Sequence, residues 1–309
     1  MGNTLKDCGA SHQFGGDWTS AKLDVIAGYL AAYTTALKNA HFTTVYIDAF
    51  AGTGYREPSK GSMKDQGDLS EFPDLAEPEP RQLLKGSAQR ALETVPRFDK
   101  YIFIERNAER CGQLRSLRDR FPELAEEVFI YPEDANEAIK KICEQRAYDW
   151  KSHRAVLFLD PYGMQVEWQT IEAIASTKAI DLWVLFPLGI GVNRILTRSG
   201  DIPPGWRNRL DLFLGSTDWQ QALYQPEVIP ADFFTDKQEK LVKATTDSIG
   251  NYFIQRLKTV FPAVIDRPGV LRNTRSCPLY LLCFAIGNHN PKAQKIALRI
   301  ATHLLKGLL

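Results

Sequence analysis

The spacing of hydrophobic residues predicts a leading helix followed by a series of strands that are separated by helices. Residues 19–37 carry apolar side chains at helical intervals, which is typical of an amphipathic helix. Six later runs are rich in β-branched and aromatic residues and therefore predict buried strands. These runs are residues 43–50, 101–105, 128–131, 155–160, 180–186 and 277–286.

Helical patterns fill the intervals between these strands. A helix is predicted to begin at Ser87, and further helices are predicted at 108–120, 136–146, 167–176 and 293–305. Strands that alternate with helices in this way predict the α/β class. The expected architecture is a parallel sheet that is covered by helices on both faces.

Two regions depart from the alternation. Residues 56–86 are crowded with Pro, Gly and charged residues, which predicts an unusually long loop. The Pro-Pro-Gly-Trp run at 203–206 predicts an irregular segment, and residues 219–256 have a mostly helical pattern. We therefore expect a core at 1–190, a mainly helical insertion for substrate recognition at 191–265, and a closing strand and helix of the core at 266–309.

Composition and charge narrow the class of protein. The 309 residues carry a net charge of +1, so any contact with nucleic acid would have to come from a local patch. No apolar run reaches the roughly 18 residues of a membrane span, and the N-terminus lacks a signal-peptide pattern, which predicts a cytoplasmic protein. The five cysteines are dispersed without a CxxC pair, which predicts reduced thiols and no metal site.

A glycine-bearing turn follows the first predicted strand. It comprises Asp48, Phe50, Ala51, Gly52 and Gly54, and glycines at this place let the backbone approach a ligand closely. A tight turn without a ligand would need the same glycines. No Lys-Ser/Thr pair follows, which argues against a phosphate loop, and the third glycine of a dinucleotide fingerprint is absent.

Two acidic residues follow the next two strands and suit a nucleoside ligand. Glu105 ends the second strand, where a carboxylate can accept both hydroxyls of a ribose; the alternative is a solvated strand-end acid. Asp134 follows the third strand and can accept a hydrogen bond from an adenine amino group. It can equally well cap the helix that begins after it.

The tetrapeptide Asp160-Pro161-Tyr162-Gly163 ends the fourth strand and carries the most chemistry. The carboxylate of Asp160 and the carbonyl of Pro161 can accept two N–H bonds from an amine, while the ring of Tyr162 stacks on a base. A tight turn with an incidental acid is the alternative. Asp160, Pro161 and Tyr162 are therefore the candidate catalytic residues.

Weaker signals lie on either side of these motifs. Lys22 and Trp18, at the start of the leading helix, can close over a cofactor, although ordinary packing is favoured. A group of arginines with a tryptophan among them can bind phosphates and stack a base, although a solvated loop is favoured. This group comprises Arg194, Arg198, Trp206, Arg207 and Arg209.

The segments DAFAGTG, FIE, EDA and DPYG resemble, in this order, the motifs of class I S-adenosylmethionine-dependent methyltransferases. The last is similar to the D/N-P-P-Y/F motif of amino-methyltransferases that act on DNA or RNA, but it lacks the second proline. It also resembles the D-P-F/Y-G of tRNA guanine-N2 methyltransferases, so the target amine stays open.

Over nearly its full length the chain resembles the bacterial three-Cys-motif partner proteins. The cues are the helix before YIDAFAGTGYRE, the helix start at Gly86-Ser87, and the segments FIERN, LFLDPYG and PLYLLCFAIGNH. The resemblance implies a Rossmann-like fold with a mostly parallel seven-stranded sheet, an antiparallel last strand at or near the edge, and a helical insertion. It also implies S-adenosylmethionine as cofactor and a three-Cys-motif protein as a candidate partner.

Three functions follow as hypotheses. The first is an S-adenosylmethionine-dependent methyltransferase that acts on an exocyclic amine of a DNA or RNA base. The second is a non-catalytic Rossmann-like module that works with a three-Cys-motif partner. The third, a nicotinamide-dependent enzyme, is disfavoured by the missing third glycine.

Overall fold

A mixed β-sheet with helices on both faces organises the chain. The computed structural model describes residues 17–51, 86–144, 148–229 and 238–309. The loop predicted at 56–86 lies, apart from Gly86, outside these residues. The strands are β1 (Thr43–Asp48), β2 (Lys100–Ile104), β3 (Val128–Tyr131), β4 (His153–Leu159), β5 (Ile180–Phe186), β6 (Tyr224–Ile229), β7 (Gln238–Lys243), β8 (Ala263–Val264), β9 (Gly269–Arg272) and β10 (Pro278–Ile286).

Ten α-helices occur in the described ranges. They are α1 (Asp17–Leu37), α2 (Ser87–Leu92), α3 (Ala108–Asp119), α4 (Ala135–Glu144), α5 (Trp168–Ser176), α6 (Asn193–Ile195), α7 (Pro204–Leu214), α8 (Trp219–Leu223), α9 (Thr246–Lys258) and α10 (Pro291–Leu305). A π-helix, Leu188–Val192, connects β5 to α6.

The main sheet has the order β3-β2-β1-β4-β5-β10-β8, and β9 also pairs with β10. Strands β1 to β5 are parallel, whereas β10 runs antiparallel to β5. The predicted Rossmann-like sheet with an antiparallel last strand is therefore confirmed. The sheet holds eight strands rather than seven, because two short strands, β8 and β9, lie one after the other along the outer side of β10.

Both faces of the sheet are covered, as the continuous apolar runs predicted. Along β5, Leu182 and Val184 point into the core beneath α4, α5, α7 and α9. Trp183 and Leu185 point into the opposite core, which α1, α2, α3 and α10 cover. Side chains alternate between the faces of a strand, so a strand buried on both faces needs apolar residues at every position.

The region 191–265 is only partly helical. The hairpin of β6 and β7 forms a separate two-stranded antiparallel sheet within the segment expected to be mostly helical. The expected irregular segment begins α7 instead, with Pro204 in its first turn, where a missing N–H is tolerated. Trp206 is buried in the core, so its ring is not the exposed stacking platform that the sequence suggested.

The cysteines differ among themselves. Cys111, Cys143 and Cys283 are free and buried, as expected for reduced thiols. Cys277 is disulfide-bonded, so the expectation of a reduced thiol is wrong for this residue.

A buried acid at the start of β5 predicts a dependence of stability on pH. Asp181 accepts a hydrogen bond of 2.7 Å from the Tyr29 hydroxyl, and burial raises the pKa of its carboxyl to about 7. A raised pKa means that this group's stabilisation is complete below about pH 4 and is lost as the pH rises through about 7.

We expect Asp181→Asn to reduce this loss of stability between pH 4 and pH 8. The neutral amide cannot ionise, and one shifted carboxyl accounts for at most about 4 kcal/mol. Unfolding by urea at several pH values measures the effect, with the exposed Asp119→Asn as a matched control. Identical pH profiles for the parent and Asp181→Asn would contradict the assignment.

Candidate functional site

The carboxyl ends of the parallel strands form one edge of the sheet, and the acidic residues singled out in the sequence lie along it. From β1 the chain moves outward to β2 and β3, and then crosses to β4 on the other side of β1. The point at which the direction of winding reverses is therefore between β1 and β4. Ligands of open α/β sheets bind in the crevice beyond such a point. Asp48 and Asp160 flank it.

Asp48 is a fully buried acid at the end of β1. Its Oδ1 accepts from the backbone N–H of Phe50 at 3.2 Å, and its Oδ2 accepts from the Tyr46 hydroxyl at 3.4 Å. Burial raises the pKa of Asp48, a hydrogen bond with Ser87 lowers it, and the charge of Asp160 raises it, so that the pKa is about 7. The two carboxyl groups are thus electrostatically coupled across the switch point.

Lys22 is the cation paired with Asp160. Its ammonium donates to Oδ2 of Asp160 at 2.5 Å, and only 1% of its side chain is exposed against 23% for Asp160. Removing a charged lysine from water is costly unless an opposite charge compensates. The leading helix therefore holds the carboxylate of Asp160 in one orientation.

The first turn of α1 also carries polar atoms that lack partners. Thr19 Oγ1 and Trp18 Nε1 are buried and have no hydrogen-bond partner among the residues that the structure describes. Thr19 lies three residues before Lys22 and therefore on the same face of the helix. The indole of Trp18 is 5.3 Å from Lys22 Nζ and stacks on Tyr280 of β10, with 5.1 Å between ring centroids. Buried donors of this kind usually have partners, so these two are suited to a polar ligand.

The turn after β4 presents the predicted catalytic residues. Pro161 is buried, whereas Asp160 and Tyr162 are half-buried. Gly163 has φ +62°, a left-handed conformation that glycine adopts without strain, and this explains the last residue of the motif. The guanidinium of Arg110 lies 5.8 Å from the centroid of the Tyr162 ring. The turn thus places the Tyr162 ring near the cation of Arg110, which belongs to α3.

Glu105 lies at the carboxyl end of β2, as predicted. Its Oε1 accepts from the backbone N–H of Asn107 at 2.7 Å, and its Oε2 lies 3.4 Å from Arg110. Only 10% of the side chain is exposed. Each carboxylate oxygen has two lone pairs, so both can accept further hydrogen bonds from a ligand. Arg110 therefore links the candidate ribose acceptor to Tyr162.

Asp134 caps α4. Its Oδ1 accepts from the backbone N–H groups of Asn136 at 2.9 Å and Glu137 at 3.3 Å, which is the geometry of an N-cap. The structure thus contains the capping alternative that the sequence left open. The contact with adenine remains a prediction, because one oxygen of this exposed residue can cap the helix while the other binds a ligand.

Asn136 connects the loop after β3 to the loop after β4, a link the sequence did not reveal. Its Nδ2 donates to the Gln165 carbonyl at 3.0 Å, and its Oδ1 accepts from the Glu167 N–H at 2.9 Å and the Thr170 hydroxyl at 2.8 Å. These bonds fix the segment that follows the turn at residues 160–163, which carries the candidate catalytic residues. Asn136 is therefore a positioning residue for that turn.

The structure brings together most of the predicted site. Asp48, Glu105, Asp134 and Asp160 all lie beyond the carboxyl ends of adjacent parallel strands. Phe50 and Ala51 continue from β1, and the Ala51 N–H bonds to the Ile104 carbonyl at 3.1 Å. Gly52 and Gly54 lie outside the described residues. Within the described ranges, no group of three or more His, Cys, Asp or Glu side chains can hold a metal ion.

These residues fit an S-adenosyl ligand in their chemistry. Glu105 supplies the carboxylate oxygens that ribose hydroxyls prefer. Thr19 and Trp18 supply buried donors without partners in the described ranges, and such donors suit a carboxylate of an amino acid.

The fold and the site define a Rossmann-like α/β protein with an acidic crevice at its switch point. No family model matches the chain, and no curated protein matches its sequence. Solved structures of similar fold include protein LPL1258 from Legionella pneumophila, with 12% identity, a TM-score of 0.42 and 94% of each chain covered. None of the described helices is long and apolar enough to cross a membrane.

Two further solved structures to which the chain shows a distant similarity are named as methyltransferases. One is from Geobacter sulfurreducens, with 12% identity, a TM-score of 0.27, and coverage of 74% of this chain and 90% of that chain. The other is magnesium protoporphyrin IX methyltransferase from Synechocystis with bound S-adenosylmethionine, with 10% identity, a TM-score of 0.27, and coverage of 74% and 86%. At these values no ligand or site residue is transferred from them.

Proposed function

We propose that this protein is an S-adenosylmethionine-dependent methyltransferase that acts on an exocyclic amine of a nucleic-acid base. The observation that carries the proposal is the position of Asp160. It stands at the switch point, on the motif Asp160-Pro161-Tyr162-Gly163, and the buried Lys22 holds it in place. A carboxylate fixed beside a nucleoside crevice is suited to orient an amine.

The residues of the turn divide the work of binding the amine. Asp160 accepts one N–H bond and the Pro161 carbonyl accepts the other, so that the lone pair of the nitrogen points into the crevice. Tyr162 stacks on the face of the base. When bound, S-adenosylmethionine would supply an electrophilic methyl group, with S-adenosylhomocysteine as the leaving group when the carbon–sulfur bond breaks. The methylated nitrogen must lose a proton, which Asp160 can accept.

The remaining acids hold the cofactor in this proposal. Glu105 accepts the ribose hydroxyls, Asp134 accepts from the adenine amino group, and Asp48, Phe50 and Ala51 line the crevice. Gly52 and Gly54 lie outside the described residues, and their contact with the cofactor stays a prediction from the sequence. Thr19, on the face of α1 that carries Lys22, donates to the amino-acid end.

Two measurements test the proposal in sequence. Calorimetry should show that S-adenosylhomocysteine binds and that NAD does not. Labelled S-adenosylmethionine with mixed DNA and RNA should then give labelled nucleic acid. Binding without transfer to either pool would overturn the reaction and favour the second candidate, a non-catalytic module that works with a three-Cys-motif partner. Tight binding of NAD alone would overturn the cofactor as well.

A further inference from the structure

A basic loop lies directly beside the catalytic turn. We define the basic loop as residues 193–201, which comprise the single turn of α6 and the segment after it and follow the π-helix at the carboxyl end of β5. A methyl group on Gly191 of this π-helix would lie 4.0 Å from Met164, the residue after the motif glycine. A methyl group on Gly189 would overlap the carbonyl oxygen of Pro278, so the π-helix is pressed against β10. The basic loop therefore begins at a fixed point next to the site.

The hairpin of β6 and β7 holds the basic loop in place. Lys243 donates to the Asn193 carbonyl at 2.5 Å, and the Tyr224 hydroxyl donates to the Thr197 carbonyl at 2.8 Å. Gly200, with φ +80°, packs against Tyr224 and Leu241. Three contacts along nine residues make this a built surface rather than a free loop.

Positive charge accumulates on this surface. Arg194 and Arg198 are exposed, and Lys243 is half-buried beside them. Burial lowers the pKa of Lys243, and the charge of Arg198 lowers it further, which shows that the two cations are close. Asp201 is the one acidic residue in the sequence between positions 188 and 204. An excess of like charges held close together stabilises the binding of an anion.

We propose that Arg194, Arg198 and Lys243 bind the phosphodiester backbone of the nucleotides that flank the target base. The inference rests on the proposed function, because it assumes a nucleic-acid substrate. A base must leave its stack before a group in a crevice can reach its amine, so the fitting ligand is single-stranded or locally unpaired. Cations beside the crevice hold such a strand through its phosphates and leave the choice of base to the catalytic turn.

The test compares two double variants of equal charge. Arg194→Gln with Arg198→Gln removes two cations from the basic loop. Lys295→Gln with Arg299→Gln removes two exposed cations from α10 and serves as the control. Binding of labelled single-stranded RNA and DNA oligonucleotides of mixed sequence is measured at several salt concentrations, with S-adenosylhomocysteine present. The single Arg198→Gln variant is measured as well, in case the double variant does not fold.

We expect the basic-loop variant to bind the preferred strand at least about ten-fold more weakly at 0.1 M salt. The slope of log K against log salt concentration should also become less steep by about 1 to 2. Arg198→Gln should lose less affinity than the double variant, and the control variant should bind with the affinity of the parent. The RNA and DNA arms show which strand is bound. Equal binding by the parent and the basic-loop variant overturns the inference, as does a parent that binds neither strand. If the proposed cofactor is wrong, this is seen separately, because S-adenosylhomocysteine then does not bind to the parent.

Discussion

Asp160→Asn is expected to lower methyl transfer by about a thousand-fold, the scale of removing one preorganised group from a catalytic site. Asparagine keeps the shape of the side chain, but it has no negative charge and carries an NH₂ group that can point at the amine. The affinity for S-adenosylhomocysteine should stay within about three-fold of the parent, because the proposed cofactor contacts lie on other strands. Single-turnover transfer and calorimetry measure the two quantities.

A matched control is Asp119→Asn, which changes the same group on the exposed end of α3. It should leave both transfer and binding unchanged. If Asp160→Asn abolished cofactor binding, the division of roles between Asp160 and the acids of the neighbouring strands would be wrong. If transfer survived at the parental rate, Asp160 would not position the amine.

Lys22→Met should reduce both stability and transfer. Removing one partner of a buried ion pair costs about 3 to 5 kcal/mol, and the partial exposure of Asp160 places the expected loss near the lower limit. Without its cation the carboxyl of Asp160 ionises less readily, so the acid limb of the pH–rate profile should move to higher pH. Urea unfolding and initial rates across pH measure the two effects.

Lys22→Arg separates positioning from bulk packing. It keeps the positive charge, so it should restore the acid limb of the profile even if transfer remains slow. Lys295→Met, on the exposed surface of α10, removes a lysine with no comparable burial and should behave as the parent. A Lys22→Met variant with an unmoved pH profile would show that Lys22 only fills space.

The strands β1, β2, β4, β5 and β10 were predictable because each is an apolar run that is largely buried on both faces. β3 was predictable from its apolar residues, although Phe129 is exposed. The predicted bounds of 128–131 and 180–186 are those of β3 and β5. β6 and β7 were missed because polar residues make up half of their sequence and the two strands pair only with each other. β8 and β9 were missed because two- and four-residue strands carry too few side chains to show a period.

The site was predictable where it depends on strand ends. Glu105 and Asp160 follow apolar strands directly, and the carboxyl ends of parallel strands share one edge. The pairing of Lys22 with Asp160 spans 138 positions and depends on how α1 docks on the sheet, which no local pattern specifies. The cap at Asp134 and the cross-link at Asn136 depend likewise on how loops meet in space.

The position of β10 has a consequence for the order in which the molecule can be assembled. β8 and β9 precede β10 in the chain, yet they join the main sheet only through it, because β10 lies between them and β5. Tyr280, against which Trp18 stacks, also belongs to β10. During synthesis α1 therefore emerges well before the strand that carries its stacking partner. A nascent fragment that ends before β10 already contains Lys22, but it lacks Tyr280 and the strand that attaches β8 and β9 to the main sheet.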